Sequence, residues 1–230
     1  MKIKRYLMTI TAIVMMVCSS QLAFAAETPS PNPDASAKEA KVRIVHASPD
    51  APAVDVFVDG TAAVEGAKFK DATEYLTVPA GERKVEIFAA GTKGQKDPVI
   101  TASLVVEGDK SYTVAAINTL DKLELKVLTN ETTAPNGKAK VRVGHFSPDA
   151  PAVNVGPKGG KPLFSNLKFK DVSAYAELPA GSYDLAVTTV DGNKEVLALP
   201  GTKVEAGKTY TVLAINKAQN LEPLVLVDSE

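Results

Sequence analysis

The chain has 230 residues, 26 basic and 27 acidic side chains, two histidines, one cysteine and no tryptophan. A charge this balanced excludes a nucleic-acid binder, which needs clustered basic residues. One cysteine excludes intrachain disulfides and thiolate-rich metal sites.

Lys2, Lys4 and Arg5 precede the apolar stretch Tyr6 to Val17, and Ala23-Phe24-Ala25 comes next as an A-x-A cleavage site. Together they read as a secretory signal peptide over residues 1–25. Cys18 falls inside it, and Val17 is the wrong neighbour for a lipid-anchored cysteine. Losing three of the 26 basic residues would leave the mature chain at about −4 against its 27 acidic ones. No second hydrophobic span is found, so the expected product is secreted or extracellular, with no membrane span after cleavage and retained at the cell surface, if at all, by non-covalent contacts. Residues 26–40 are rich in Pro, Ser and Ala without apolar rhythm and read as a flexible leader.

From Lys41 onward the chain repeats itself. Lys41 to Val56 (KVRIVHASPDAPAVDV) returns as Lys140 to Val155 (KVRVGHFSPDAPAVNV), with 12 of 16 positions identical. Phe69-Lys70-Asp71 returns as Phe169-Lys170-Asp171, Pro79-Ala80-Gly81 as Pro179-Ala180-Gly181, and Tyr112-Thr113-Val114 as Tyr210-Thr211-Val212. A period near 99 residues is a duplicated domain, because solenoid repeats run roughly 20–50 residues. The expected domains are residues 41–128 and 140–230, with 129–139 (TNETTAPNGKA) as linker.

Within each copy the period is two. Val42 and Ile44 alternate with Lys41 and Arg43, Val54 and Val56 with Asp55 and Phe57, and Leu123, Leu125 and Val127 with charged residues. Strict alternation predicts half-buried strands with one wet face. Ser48-Pro49-Asp50, Asp59-Gly60 and Pro79-Ala80-Gly81 mark turns. No amphipathic helix of three turns occurs after the signal segment. About seven short strands per copy predict two tandem antiparallel β-sandwich domains, with Tyr112 and Tyr210 placed to fix a corner through their hydroxyls.

The H-x-S-P-D-A-P-A-V-x-V segment, His46 to Val56 and His145 to Val155, resembles the opening signature of the DUF4397 domain. The P-A-G turn and the strand around Tyr-Thr-Val are similar to that family too. The resemblance spans nearly the whole mature chain. It implies an exported bacterial protein of immunoglobulin-like or transthyretin-like sandwich fold, and it brings no catalytic or binding residues with it.

Candidate chemistry centres on the repeated turn. His46 and His145 share parity with the inward-facing valines, so each is read as a buried ring bonding backbone of the Ser-Pro-Asp-Ala-Pro turn, which Ser48 and Asp50 help to lock. A metal site would draw on His46, Asp50, His145 and Asp149, but one histidine per copy is a poor zinc set. Calcium through Asp50, Asp55 and Asp59 meets the objection that Asp55 becomes Asn154. His46, Ser48 and Asp50 have triad residue types at the wrong spacing, since residues two apart on a strand project the same way about 7 Å apart. No catalytic residue and no cofactor are assigned. Phe57 faces outward by parity and could mark a contact surface. The Tyr75/Tyr175 pair is expected in the core. The expected function is a non-enzymatic binding or scaffold module at or near the cell surface. Its partner would be a cell-envelope or extracellular protein or polysaccharide, and duplication would add avidity across the linker. The alternative is a secreted metal- or small-ligand-binding protein using the His/Asp turns.

Overall fold

The computed structural model describes residues 38–191 and 194–229. The expected signal peptide and most of the leader lie outside these residues. The described chain is almost wholly strand. Repeat 1 holds β1 (Glu39–His46), β2 (Val54–Val58), β3 (Thr61–Ala67), β4 (Leu76–Pro79), β5 (Gly81–Ala89), β6 (Ile100–Val106), β7 (Ser111–Ile117) and β8 (Glu124–Asn130). Repeat 2 holds β9 (Lys138–His145), β10 (Val153–Pro157), β11 (Phe164–Leu167), β12 (Ala176–Pro179), β13 (Gly181–Thr189), β14 (Glu195–Val204), β15 (Thr209–Ile215) and β16 (Glu222–Val227). Single 3-10 turns, Leu120–Lys122 and Ala218–Asn220, precede β8 and β16.

Each repeat is a sandwich of two four-stranded sheets. Repeat 1 pairs β4-β1-β7-β8 with β3-β2-β5-β6, and repeat 2 pairs β12-β9-β15-β16 with β11-β10-β13-β14. The sandwich expectation therefore holds, as does the duplication. The strands are antiparallel save one pair per repeat: β1 lies parallel to β7 (Val42 opposite Tyr112) and β9 to β15 (Val141 opposite Tyr210). The first strand of each repeat meets its seventh, and that long-range pairing leaves no trace in local periodicity.

Alternation does its expected work inside each sandwich. Val42, Ile44, Val54, Val56, Val85, Ile87 and Val114 form one core, and Val143, Val153, Val155 and Val187 part of the other. Each fully buried aliphatic side chain contributes about 1.5–3 kcal/mol. The Tyr112 hydroxyl accepts from Glu107 N at 3.0 Å and that of Tyr210 from Glu205 N at 3.2 Å, the expected corner bonds.

The opposite face of β1 and β7 is not wet. Val45, Ala47, Ala115, Ile117 and Leu128 of repeat 1 pack on Phe146, Leu213, Ile215 and Leu226 of repeat 2, all buried. Residues 37–230 thus form one compact unit in which the β1 sheet of one repeat lies face to face with the β9 sheet of the other. Sheets buried on both faces carry near-continuous apolar runs, and all seven residues of β7 are buried. Thr129 and Asn130, read as linker, are the last residues of β8. Short connection and broad contact together replace the picture of two tethered modules.

Phe57 departs from its expected exposure. It does lie on the outer face of its sheet, yet it is buried: Phe88 meets it edge-on at 5.7 Å and Lys93 Nζ sits 3.3 Å from its ring centroid. The β5–β6 loop folds over it, so it offers no contact surface.

Candidate functional site

The repeated turn leaves β1 at His46 and enters β2 at Val54. Lys70, at positive φ, brings its N–H to His46 O at 2.8 Å, and His46 N donates to Asp71 O at 2.9 Å. His46 is buried with Nε2 3.1 Å from Pro52 O, and His145 repeats the contact to Pro151 O at 2.9 Å. A carbonyl only accepts, so Nε2 carries the proton and Nδ1 is the basic nitrogen. In repeat 2 that Nδ1 accepts from Ser147 N at 3.3 Å. Burial lowers the pKa of His145, against the opposing pull of the Pro151 carbonyl and Asp171.

Asp50 and Asp149 do not join the rings. Asp50 Oδ1 accepts from Leu120 N at 2.9 Å and Asp149 Oδ1 from Ala218 N at 2.8 Å, each tying the turn to the 3-10 segment before the last strand. His46 faces the core of repeat 1 and His145 that of repeat 2, so the four candidate residues do not converge. Among the described residues no group of three or more His, Asp, Glu or Cys side chains is placed to hold a metal. The calcium candidates are likewise occupied. Asp55 accepts from Gly66 N and Gly91 N, both at 2.7 Å, and Asp59 accepts from Lys84 N at 2.8 Å and Arg83 Nη1 at 2.9 Å. Asn154 takes over the role of Asp55 with Oδ1 accepting from Asn166 N at 2.8 Å, which explains why the carboxylate is dispensable in repeat 2. Ser48 differs from expectation. Its hydroxyl is buried without a partner among the described residues, as is that of Ser147, so it neither locks the turn nor bonds His46.

The seam between the repeats holds the denser polar cluster. Arg43 and Arg142 occupy one aligned position on the faces that meet. Arg43 reaches Asp228 Oδ1 at 2.6 Å and Val227 O at 2.8 Å, both in repeat 2, and Thr113 Oγ1 at 2.9 Å in its own. Arg142 mirrors it, reaching Asn130 Oδ1 at 2.5 Å and Thr129 O at 2.7 Å in repeat 1, and Thr211 Oγ1 at 2.8 Å in its own. Each guanidinium stacks over the tyrosine of its own repeat, Arg43 at 4.9 Å from Tyr75 and Arg142 at 4.6 Å from Tyr175. The Tyr75 hydroxyl accepts from Asn130 Nδ2 at 2.7 Å, while that of Tyr175 donates to Asp228 at 2.8 Å. Burial, then the Asp228 charge, raises the Tyr175 pKa, and burial lowers that of Arg142. Tyr75 and Tyr175 are therefore seam residues rather than core.

At the rim the repeated Phe-Lys-Asp motif finds its use. Lys70 Nζ bonds Glu222 at 2.5 Å across the seam, and Lys170 Nζ bonds Glu124 at 2.6 Å in the other direction. The arrangement is a pseudo-twofold with one break in charge, Asp228 against Asn130. Sequence reasoning passed over these residues. The available signal was Arg43 and Arg142 recurring at one repeat position beside Val45 and Gly144, on a strand face that is not polar throughout.

A sequence model of the family described as Domain of unknown function (DUF4397) matches residues 40–156 and 158–230. No curated protein matches the chain. Among solved structures, the chain is similar to CBMbc, a family CBM26 module from Eubacterium rectale Amy13K crystallised with maltoheptaose. The two are 6% identical with a TM-score of 0.26, over 84% of this chain and 97% of that one. A leucine-rich repeat protein from Bacteroides thetaiotaomicron is 14% identical with a TM-score of 0.20, over 79% of this chain and 26% of that one. Likeness at this level carries no argument about ligand. Among the described residues no helix is long and apolar enough to cross a membrane.

Proposed function

This chain belongs to the DUF4397 family, whose function is unassigned, and on that premise we propose that it is an exported, non-enzymatic binding or scaffold module acting at or near the bacterial cell surface. The observation that carries the reading is the fate of the repeated polar residues. His46, Asp50, Arg43, Lys70 and their counterparts each bond backbone or the opposite repeat. His46 and Asp50 fix the turn within a repeat, Arg43 and Lys70 join one repeat to the other, and a packed, preorganised framework is what a recognition scaffold requires. The N-terminal sequence, with its basic start, apolar stretch and A-x-A site, supports export. Recognition would then fall to loops and to the outward sheets, those of β2 and β10.

The test is co-sedimentation of the purified protein with isolated cell envelopes, with and without EDTA. Saturable binding unaffected by EDTA is the expected result. Binding abolished by EDTA would replace this reading with a metal-dependent one, and no binding would remove the envelope as the site of action.

A further inference from the structure

The two sandwiches, alike in fold, differ in how well they are filled. Between the sheets of repeat 1 lies a cavity of about 390 Å³. Its walls are apolar core residues, and its rim is formed by β3 and β4, the edge strands of the two sheets. The corresponding space in repeat 2 is about 40 Å³.

Aligned side chains account for the difference. Leu178 stands where repeat 1 has Val78, Leu185 where it has Val85, and Phe164 where it has Val64, and all three line the remnant in repeat 2. The β10–β11 connection is also longer and places Leu163 on the wall of that remnant. Repeat 1 has only the Asp59-Gly60 turn there. Protein interiors leave few voids larger than a water molecule, and an apolar void does not hold water. One copy of the fold has been packed to completion and the other has not.

Polar chemistry at this cavity comes from Arg83, where repeat 2 carries Tyr183. The Tyr183 hydroxyl is satisfied by Pro179 O at 2.7 Å. Arg83 gives Nη1 to Asp59 at 2.9 Å and Nη2 to Ala80 O at 3.2 Å, while its Nε is buried with no partner among the described residues. Asp59 already balances the charge of Arg83, so this end of the cavity is polar without net charge and suits a neutral group rather than an anion.

We propose that repeat 1 takes up one aliphatic chain between its sheets, with a neutral carbonyl end beside the Arg83–Asp59 pair. An apolar cavity near 150 Å³ holds a benzene, so this one suits a chain of about 10–14 carbons. The carbonyl belongs either to a fatty acid taken up in its protonated form or to an acyl ester, and the site is independent of any envelope partner.

Laurate, methyl laurate and dodecane are titrated into the full protein, monitoring displacement of a fluorescent fatty-acid probe; the absence of tryptophan leaves a clean background. One equivalent per chain is expected, with laurate, methyl laurate or both displacing the probe. Laurate alone assigns free acids, and the ester as well assigns acyl lipids. The triple variant Val64→Phe, Val78→Leu, Val85→Leu imports the repeat 2 side chains and should bind at least tenfold more weakly while unfolding at the same or higher denaturant. Arg83→Lys keeps a cation for Asp59 but removes the guanidinium from the cavity wall; it should weaken laurate or ester about tenfold and leave dodecane unchanged. No saturable displacement, two equivalents per chain, or undiminished binding by a folded triple variant overturns the proposal.

Discussion

Exchanging the two acceptors at the seam tests whether its charge asymmetry matters. Asp228 is wholly buried and Arg43 nearly so (side chains 0% and 6% exposed), so water screens their 2.6 Å contact little. Asp228→Asn keeps the shape. The Tyr175 and Thr211 hydroxyls, which now donate to the carboxylate, can turn to accept, as Tyr75 and Thr113 do beside Asn130. The loss is the difference between a charged and a neutral hydrogen bond, about 1–2 kcal/mol. Truncation to Ala removes the partner altogether and leaves a buried cation, a loss of about 3–5 kcal/mol. Asn130→Asp does the opposite, supplying Arg142 with the carboxylate that it lacks, and should gain about 1 kcal/mol. The double exchange should return near wild type, since it moves the ion pair from one end of the pseudo-twofold to the other. Urea unfolding reads all four, with a slope of about 1–3 kcal/mol per molar turning 2 kcal/mol into roughly a 1 M shift of midpoint. A neutral Asp228→Asn together with a destabilising Asn130→Asp would refute the reasoning.

Phe146 is fully buried in the seam where repeat 1 has Ala47, and Phe146→Ala should cost about 3–5 kcal/mol in the same assay. Gly144 pairs with Leu213 where repeat 1 pairs Val45 with Ala115. A Cβ on Gly144 would lie 2.8 Å from Leu213 Cδ2, so Gly144→Val should cost about 1–3 kcal/mol. Adding Leu213→Ala restores the repeat 1 pairing and should destabilise less than the two single costs summed. Acid should destabilise the protein through His145. Its folded pKa lies below the unfolded value of about 6.5, so the stability it lends is complete above that pH and is lost as pH falls toward the folded value. His145→Asn should flatten the slope of unfolding free energy between about pH 6.5 and 5, above the range where carboxylates titrate; an identical slope in both proteins would contradict this.

How far the fold was legible depended on which contacts are local. Val42, Ile44 and His46 share a face because a strand alternates, and that much is in the spacing. Arg43 and Val45 alternate just as cleanly, yet their face meets a second copy of the domain rather than water. No window of sequence reveals what covers an outer face, although the apolar run Val114 to Ile117 of β7 hinted that something must. Phe57 failed for a similar reason, because parity gives direction and a loop with Lys93 decides exposure. The His-x-Ser-Pro-Asp turn was legible as a unit, but not which backbone group each side chain would take. Asp50 reaches Leu120, 70 residues away, and Ser48 reaches nothing among the described residues. The parallel β1–β7 pairing lay out of reach for the same cause as the seam, since both join segments far apart along the chain.

The most direct measurement is calorimetric unfolding of the intact protein. If the repeated residues fuse two sandwiches into one body, a single transition is expected, with equal calorimetric and van't Hoff enthalpies. Two resolved transitions, one per repeat, would show the seam to be incidental and would contradict the account.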